Sequence, residues 1–330
     1  MRCAVLGAGA WGTALASLLA ENGHDTTIWC LEPDVAEAIS ASSMNPRFLP
    51  GVELSGALAG TTDKADALDG AELVVFAAPS HVLREVVSHA RAWVAPGATA
   101  VVATKGIERV SFALMTEVVE QELRGHAVVA LSGPSFALEV ANRQPTAVVA
   151  ASTNPAAAAL AQQAFSAPHF RVYSHDDVVG VELGGAIKNV MAVATGISDG
   201  LGLGFNARAA LITRGLAEMM RLGIGMGAHP QTFAGLAGIG DLVLTCTGSL
   251  SRNRQVGLEI GQGATLQEVL AGRESVAEGV ITTESTKALA ERQGVEMPIV
   301  AAVHRVLFER QPARWALVEL MGRDLRGERD

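Results

Sequence analysis

A chain of 330 residues exceeds what one hydrophobic core usually serves, so two domains are expected. Hydrophobic residues at 49% against 18% charged describe a compact globular protein and exclude a disordered one. A formal net charge of −9 argues against nucleic acid or an anionic membrane as partner, so an anionic substrate has to be held by a few local cations.

Cys3, Cys30 and Cys246 are odd in number, far apart and form no CxxC pair, which reads as reduced, buried thiols. The eight histidines show no metal-ligand spacing and no HExxH occurs, so no metal is expected.

The apolar run Cys3 to Leu6 leads into Gly7-Ala8-Gly9-Ala10-Trp11-Gly12 and then Thr13 to Ala20. The pattern predicts a strand, a tight turn and a helix. Gly7, Gly9 and Gly12 at this spacing let the backbone turn sharply, let a pyrophosphate approach the helix amides, and let the helix pack close on its strand. The unpaired N–H groups and positive end of the helix favour an anion without any side-chain cation. A GxGxxG alone is weak evidence, because small residues also recur in Ala-rich helices. Its position after one strand and before a second strand-like run, Asp25 to Trp29, raises its weight. Arg2 before an apolar, Ala-rich stretch also fits a signal peptide. Glycines interrupt what would be its apolar core, however, and the strand-turn-helix reading explains every one of them. No later uninterrupted apolar run of about 18 residues stands out, so we expect no membrane span and a cytoplasmic location.

Asp25 to Trp29 is expected to be the second parallel strand, and its end carries the residue that reads the adenosine ribose. Glu32 stands near the offset where an acid accepts from the ribose 2′-hydroxyl of NAD. NADP would require a cation there, and Cys30-Leu31-Glu32 has none, so the site leans toward NAD. A helix N-terminal acid before Val35 to Ile39 is an equal reading of Glu32. Leu73 to Ala78 is a continuous apolar run ending in Pro79-Ser80, as expected of a strand buried on both faces. The next strand, Ala98 to Ala103, ends in Thr104-Lys105-Gly106, which sets Lys105 at the strand ends where doubly wound sheets bind ligands. An ordinary snorkelling lysine is its plain alternative. Further strands are expected at Ala127 to Leu131, followed by Ser132-Gly133-Pro134-Ser135-Phe136, and at Thr146 to Ala150 and Phe170 to Tyr173.

From about Val178 the periodicity is helical to the end. The predicted fold is therefore α/β plus all-α: a Rossmann-type doubly wound sheet over 1–177 binding a dinucleotide, then an all-helical substrate domain over 178–330. Lys188 lies within the apolar run Val181 to Met191. A lysine is costly to bury, so it is paired, snorkelling or functional. Burial lowers its pKa and a second cation such as Lys105 lowers it further, which suits it to accept a proton near neutral pH. Asp199 to Phe205 reads as an inter-helix loop, with Asn206 capping the next helix. Asp241, flanked by glycines and apolar residues, is either a functional carboxylate or a helix N-cap. Ser249-Leu250-Ser251-Arg252-Asn253-Arg254 offers hydroxyl, guanidinium and amide donors at a helix start. That suits a phosphate, or else a capped helix with solvated arginines. Thr282 to Arg292 and Pro298 to Arg310 read as scaffold helices.

Assembled, these residues resemble bacterial NAD(P)-dependent glycerol-3-phosphate dehydrogenase nearly end to end. The resemblance rests on GAGAWGTALA, Phe48-Leu49-Pro50, Pro79-Ser80-His81, Ala103-Thr104-Lys105-Gly106, Ser132 to Ala137, Gly184 to Asn189, Gly240 to Thr247, Ser251 to Arg254 and Val276 to Gly279. It implies interconversion of sn-glycerol 3-phosphate and dihydroxyacetone phosphate, feeding phospholipid synthesis, with Lys188 as proton acceptor. It implies substrate contacts at Lys105, Gly133, Ser135, Lys188, Asp241, Ser251, Arg252 and Asn253. Cofactor contacts would fall on Trp11, Phe48, Lys105, Ala137, Arg252, Val276 and Glu278 beside the glycine turn. Ala10 departs from the Ser or Thr common in the family and removes a hydroxyl from the pyrophosphate site. Leu31 and Glu32 depart from its basic residues, which weighs against NADP. A related hydroxyacid or ketopantoate-type dehydrogenase, or a nucleotide-binding redox sensor without turnover, are the other readings. Long apolar helices in the second half suggest a homodimer.

Overall fold

The computed structural model describes residues 1–271, 277–325 and 327. Its strands are β1 (Arg2–Leu6), β2 (Asp25–Trp29), β3 (Met44–Asn45), β4 (Leu49–Glu53), β5 (Ala59–Thr61), β6 (Leu73–Phe76), β7 (Thr99–Val102), β8 (Val128–Ser132), β9 (Thr146–Ala151) and β10 (Phe170–His175). Eight form one sheet in the order β10-β9-β8-β7-β6-β1-β2-β5, while β3 and β4 pair as a separate antiparallel hairpin. Every pairing in the large sheet is parallel except β8 with β9. β6 and β7 are buried along their whole length, which is why they read as continuous apolar runs.

Alternation along β1 serves both faces of the sheet. Cys3 and Val5 join the cluster containing Leu15, Leu19, Phe165 and Phe170, while Ala4 and Leu6 join the one containing Leu68, Phe76, Leu83 and Val119. From β1 the chain moves outward through β2 and β5, then returns to lay β6 on the other side of β1. That reversal opens a crevice beyond the ends of β1 and β6, where ligands bind in such sheets.

After His175 the described chain is helical, built around a central helix, Val178–Gly200, that is buried without a break from Gly180 to Ser198. By length and apolarity this helix matches a membrane span, which the expectation of no span did not anticipate. In the fold it is the core helix: 89% of its most apolar window is buried, and an all-round apolar helix needs partners on every side. Two glycines set its closest contact. A Cβ on Gly196 would lie 2.0 Å from the carbonyl oxygen of Arg254, and one on Gly257 2.1 Å from that of Val193. The central helix and the Arg252–Gly261 helix therefore touch backbone to backbone, which fixes Arg252 and Asn253 relative to Lys188.

Some local expectations need correction. The helix after the central one begins at Gly204, so Asn206 lies inside it and does not cap it. Gly202 and Gly204, with φ of +74° and +80°, turn the chain so tightly that the helix starts two residues early. The strand expected at Ala127 to Leu131 is shifted by one residue, to Val128–Ser132. The β3–β4 hairpin and edge strand β5 were not anticipated, because two to five residues carry too little alternation to register. All three cysteines are free and buried, and burial pushes each thiol up to about 12, leaving them inert near neutral pH.

Candidate active site

The glycine turn has the geometry its spacing predicts. Gly7 sits at φ +120°, and a Cβ there would meet the Ala77 and Ala78 backbone at 2.9 Å. A Cβ on Gly12 would lie 1.9 Å from the Gly7 carbonyl oxygen, so only glycine lets the helix Ala10–Glu21 seat on β1. Gly9 differs, since a Cβ there would meet nothing within 4 Å. The space in front of Gly9 is open, the helix N-terminus carries no side-chain cap, and its first turn has no acid to repel an anion. Trp11 adds a buried ring N–H with no hydrogen-bond partner. A cradle with free amides and an orphaned donor fits the pyrophosphate of a dinucleotide.

Around this turn, Ala10, Trp11, Phe48 and Ala137 are all partly buried against one apolar cluster, although they come from three separate segments. Arg47 lies over the Phe48 ring, 5.3 Å from its centroid. Glu32 occupies the position just before the helix Pro33–Ser42, yet its side chain makes no capping bond there. Glu32 thus stands at a helix N-terminus, where its reading as a helix-terminal acid puts it, and the reading as a ribose contact stays beside it; Leu31 next to it is 73% exposed.

Lysine and carboxylate chemistry converges where Lys105 follows β7, the strand next to β6. Lys188 Nζ donates to Asp241 Oδ1 at 2.5 Å, and Lys105 Nζ donates to Asp241 Oδ2 at 2.6 Å. Asp241 is wholly buried, with Lys188 nearly so. Asp241 opens the helix Asp241–Thr247 directly after a wide π-type turn, Leu236–Gly240, in which Gly238 leaves helical geometry. Turns of that kind recur at functional sites. Thr245 Oγ1 donates to the Asp241 carbonyl oxygen at 2.7 Å and braces that turn. One carboxylate here faces two ammonium groups, so the pair has a surplus positive charge in a buried place. Burial therefore pulls Lys188 down to about 8; the Asp241 carboxylate opposes the shift and the Lys105 charge adds to it.

Lys105 also donates to the Gly133 carbonyl oxygen at 3.2 Å, which accepts from Ser135 Oγ at 3.0 Å as well. A small cavity of about 10 Å³ is lined by Thr104, Lys105, Ser132 and Glu182, with Ser132 Oγ unpartnered. Ser251 caps the Arg252–Gly261 helix by accepting the Arg254 N–H at 3.2 Å. Arg254 turns away to Asp199 at 2.7 Å, so it is a structural cation. Arg252 is exposed and makes no hydrogen bond or ion pair among the described residues. Asn253 accepts from the Gly279 N–H and donates to Asn189 Oδ1, both at 2.9 Å, which leaves one N–H to offer. Glu278 is held by Ser80, whose N–H and Oγ donate to it at 3.1 Å and 2.6 Å; this ties the loop after β6 to the helix Glu278–Gln293. Val276 lies outside the described residues. Among the described residues no histidine, cysteine or carboxylate cluster could hold a metal.

Sequence reasoning missed Asn45, Asn189 and Thr245 as members of this neighbourhood. A single Asn or Thr carries no pattern, and only the fold shows what it faces.

The profile of the NAD-dependent glycerol-3-phosphate dehydrogenase N-terminus matches residues 2–158 and that of its C-terminus matches 177–318. A relative from Geobacter sulfurreducens, named glycerol-3-phosphate dehydrogenase [NAD(P)+], is 55% identical over 99% of each chain. The crystal structure of glycerol-3-phosphate dehydrogenase from Coxiella burnetii superposes with a TM-score of 0.94 at 42% identity, covering 98% of this chain and 99% of that one. A ketopantoate reductase from Ralstonia eutropha shares the fold alone, with a TM-score of 0.60 at 16% identity, covering 97% of this chain and 100% of that one. With both halves of the profile and full-length relatives in agreement, the chain belongs to the NAD-dependent glycerol-3-phosphate dehydrogenase family.

Proposed function

We propose that Lys188 moves the proton in the reaction this family membership assigns to the chain, the NAD(P)-dependent interconversion of glycerol 3-phosphate and dihydroxyacetone phosphate. The observation that carries the reading is the Lys188–Asp241–Lys105 cluster, in which a wholly buried carboxylate pairs with two ammonium groups. Bound NAD or NADP supplies the acceptor for the hydride that leaves C2. Neutral Lys188 Nζ takes the proton of the C2 hydroxyl as that hydride departs, and its ammonium returns it in the reductive direction. Asp241 orients Lys188 and keeps it from losing its proton too readily. Lys105 lowers the Lys188 pKa and offers N–H donors to the substrate oxygens. Arg252, the free N–H of Asn253 and Ser251 hold the phosphate; Gly133 and Ser135 line the same side. Fixing the phosphate fixes which C2 hydrogen faces the coenzyme.

Trp11, Phe48, Ala137 and the Gly7–Gly12 turn hold the coenzyme in this reading, with Glu278 bracing the crevice through Ser80. Glu32, whose side chain makes no capping bond to its helix, accepts from a ribose 2′-hydroxyl and repels a 2′-phosphate. The catalytic efficiency with NADH is therefore expected to exceed that with NADPH by about tenfold or more, since like charges set together cost several kcal/mol. Parallel steady-state titrations at matched ionic strength check this, and equal efficiencies would remove Glu32 from the role.

Arg252→Ala should raise KM for dihydroxyacetone phosphate about 10- to 100-fold, the worth of hydrogen bonds to a charged group. Added guanidinium is expected to restore part of the loss. An unchanged substrate KM would take Arg252 out of the phosphate site. We further assign residues 1–177 to coenzyme binding and 178–330 to substrate, with the chain working as a cytoplasmic homodimer that supplies glycerol 3-phosphate to phospholipid synthesis.

A further inference from the structure

Asn45 is wholly buried at an irregularity of the β3–β4 hairpin, and its carboxamide is almost fully engaged. Its Nδ2 donates to the Ala8 carbonyl oxygen at 2.9 Å and to Thr13 Oγ1 at 2.8 Å. Its Oδ1 accepts from the Phe48 N–H at 3.0 Å. Thr13 Oγ1 in turn donates to the same Ala8 oxygen at 3.1 Å, which closes a triangle. The amide cannot flip without setting its donors against the Phe48 N–H and its oxygen against the Ala8 oxygen.

Both acceptor positions of the Ala8 oxygen are therefore filled from the protein side. The Ala8–Gly9 peptide is trans and planar, so its N–H points opposite to its carbonyl. The Gly9 N–H accordingly faces away from Asn45 and has no hydrogen-bond partner among the described residues, and a Cβ on Gly9 would meet nothing within 4 Å. We propose that Asn45 is a positioning residue of the coenzyme site: it locks the Ala8–Gly9 peptide so that the Gly9 N–H is presented to a pyrophosphate oxygen, and through the Phe48 N–H it holds Phe48 beside the same turn. The proposal rests on the reading of the glycine turn as the pyrophosphate site.

The chain just after the hairpin has a second tie to the same helix, one turn further on, where the Ser55 N–H donates to Ser17 Oγ at 2.9 Å. Ser17→Ala loosens the hairpin without touching the turn, which makes it the control. Coenzyme dissociation constants would be measured by NADH fluorescence on the full-length wild type and on Asn45→Ala, Thr13→Val and Ser17→Ala, with a melting curve for each. Asn45→Ala is expected to raise the NADH Kd roughly tenfold, while KM for dihydroxyacetone phosphate and kcat at saturating coenzyme stay within about twofold. Thr13→Val, which removes one side of the triangle at constant shape, should raise Kd by about threefold and decides the matter if Asn45→Ala does not fold. Ser17→Ala should lower Tm and leave Kd alone. An unchanged Kd in Asn45→Ala or Thr13→Val would overturn the proposal. So would an increase in Ser17→Ala equal to that in Asn45→Ala at equal loss of Tm. If the wild type binds neither NADH nor NADPH, the reading of the glycine turn fails, and the proposal falls with it.

Discussion

Replacing Lys188 with Ala is expected to lower kcat about 10²- to 10⁴-fold, the usual worth of a positioned proton-transfer group, while coenzyme affinity changes little. The argument rests on what the substitution leaves behind. Asp241 keeps its ion pair with Lys105, so no buried charge is orphaned and the fold should hold. The loss then falls on the chemical step and not on binding, which stopped-flow turnover beside a coenzyme titration would separate. A pH profile adds a second reading. The Lys188 pKa is pulled down to about 8, and oxidation of glycerol 3-phosphate needs the neutral amine. The oxidative rate should therefore rise with pH through about 8, and the reductive rate, which needs the ammonium, should fall through it. Both limbs should vanish in Lys188→Ala. Near-normal turnover, or an unchanged pH limb, would exclude Lys188 from proton transfer.

Asp241→Ala is expected to damage stability as well as rate. The carboxylate is wholly buried, and each oxygen serves a different ammonium. Removing one partner of a buried ion pair leaves an uncompensated charge and typically costs about 3–5 kcal/mol. Two lysines would here be left facing each other, so Lys188, the more buried, should shed its proton at still lower pH. Asp241→Asn preserves shape and some hydrogen bonding and should fold better, yet it removes the charge that holds the Lys188 pKa up. Its pH limbs are expected to move to lower pH than those of the wild type, in both directions of the reaction. Urea unfolding of the Ala variant and a pH profile of the Asn variant test the two effects. Wild-type stability in the first, or unmoved limbs in the second, would contradict the account of the cluster.

The parts of this site that were legible in the sequence are those with a local physical signature. Gly7, Gly9 and Gly12 announce a turn because each glycine answers a separate steric demand, and the structure shows these demands at Gly7 and Gly12 as near-contacts. Lys188 stands out because an apolar helix has no ordinary use for an ammonium. Asp241 stands out likewise between glycines, but the sequence left it open between an N-cap and a functional carboxylate. Only the fold shows that it bridges Lys188 and Lys105, which lie 53 and 136 positions away. No periodicity encodes such contacts. Asn45 was invisible for another reason: an Asn before Pro46 in a loop reads as a turn residue, and its bonds to Ala8 and Thr13 belong to tertiary packing. The central helix shows the limit in the other direction, since composition cannot tell a span from a core helix until its neighbours are known.

The most direct test of the account is a steady-state assay of the purified protein with dihydroxyacetone phosphate and either NADH or NADPH. The account predicts coenzyme oxidation that depends on the phosphorylated substrate, with NADH the better coenzyme, and none with the unphosphorylated ketone at matched concentration. Absence of turnover with both coenzymes, in folded protein shown to bind one of them, would contradict it.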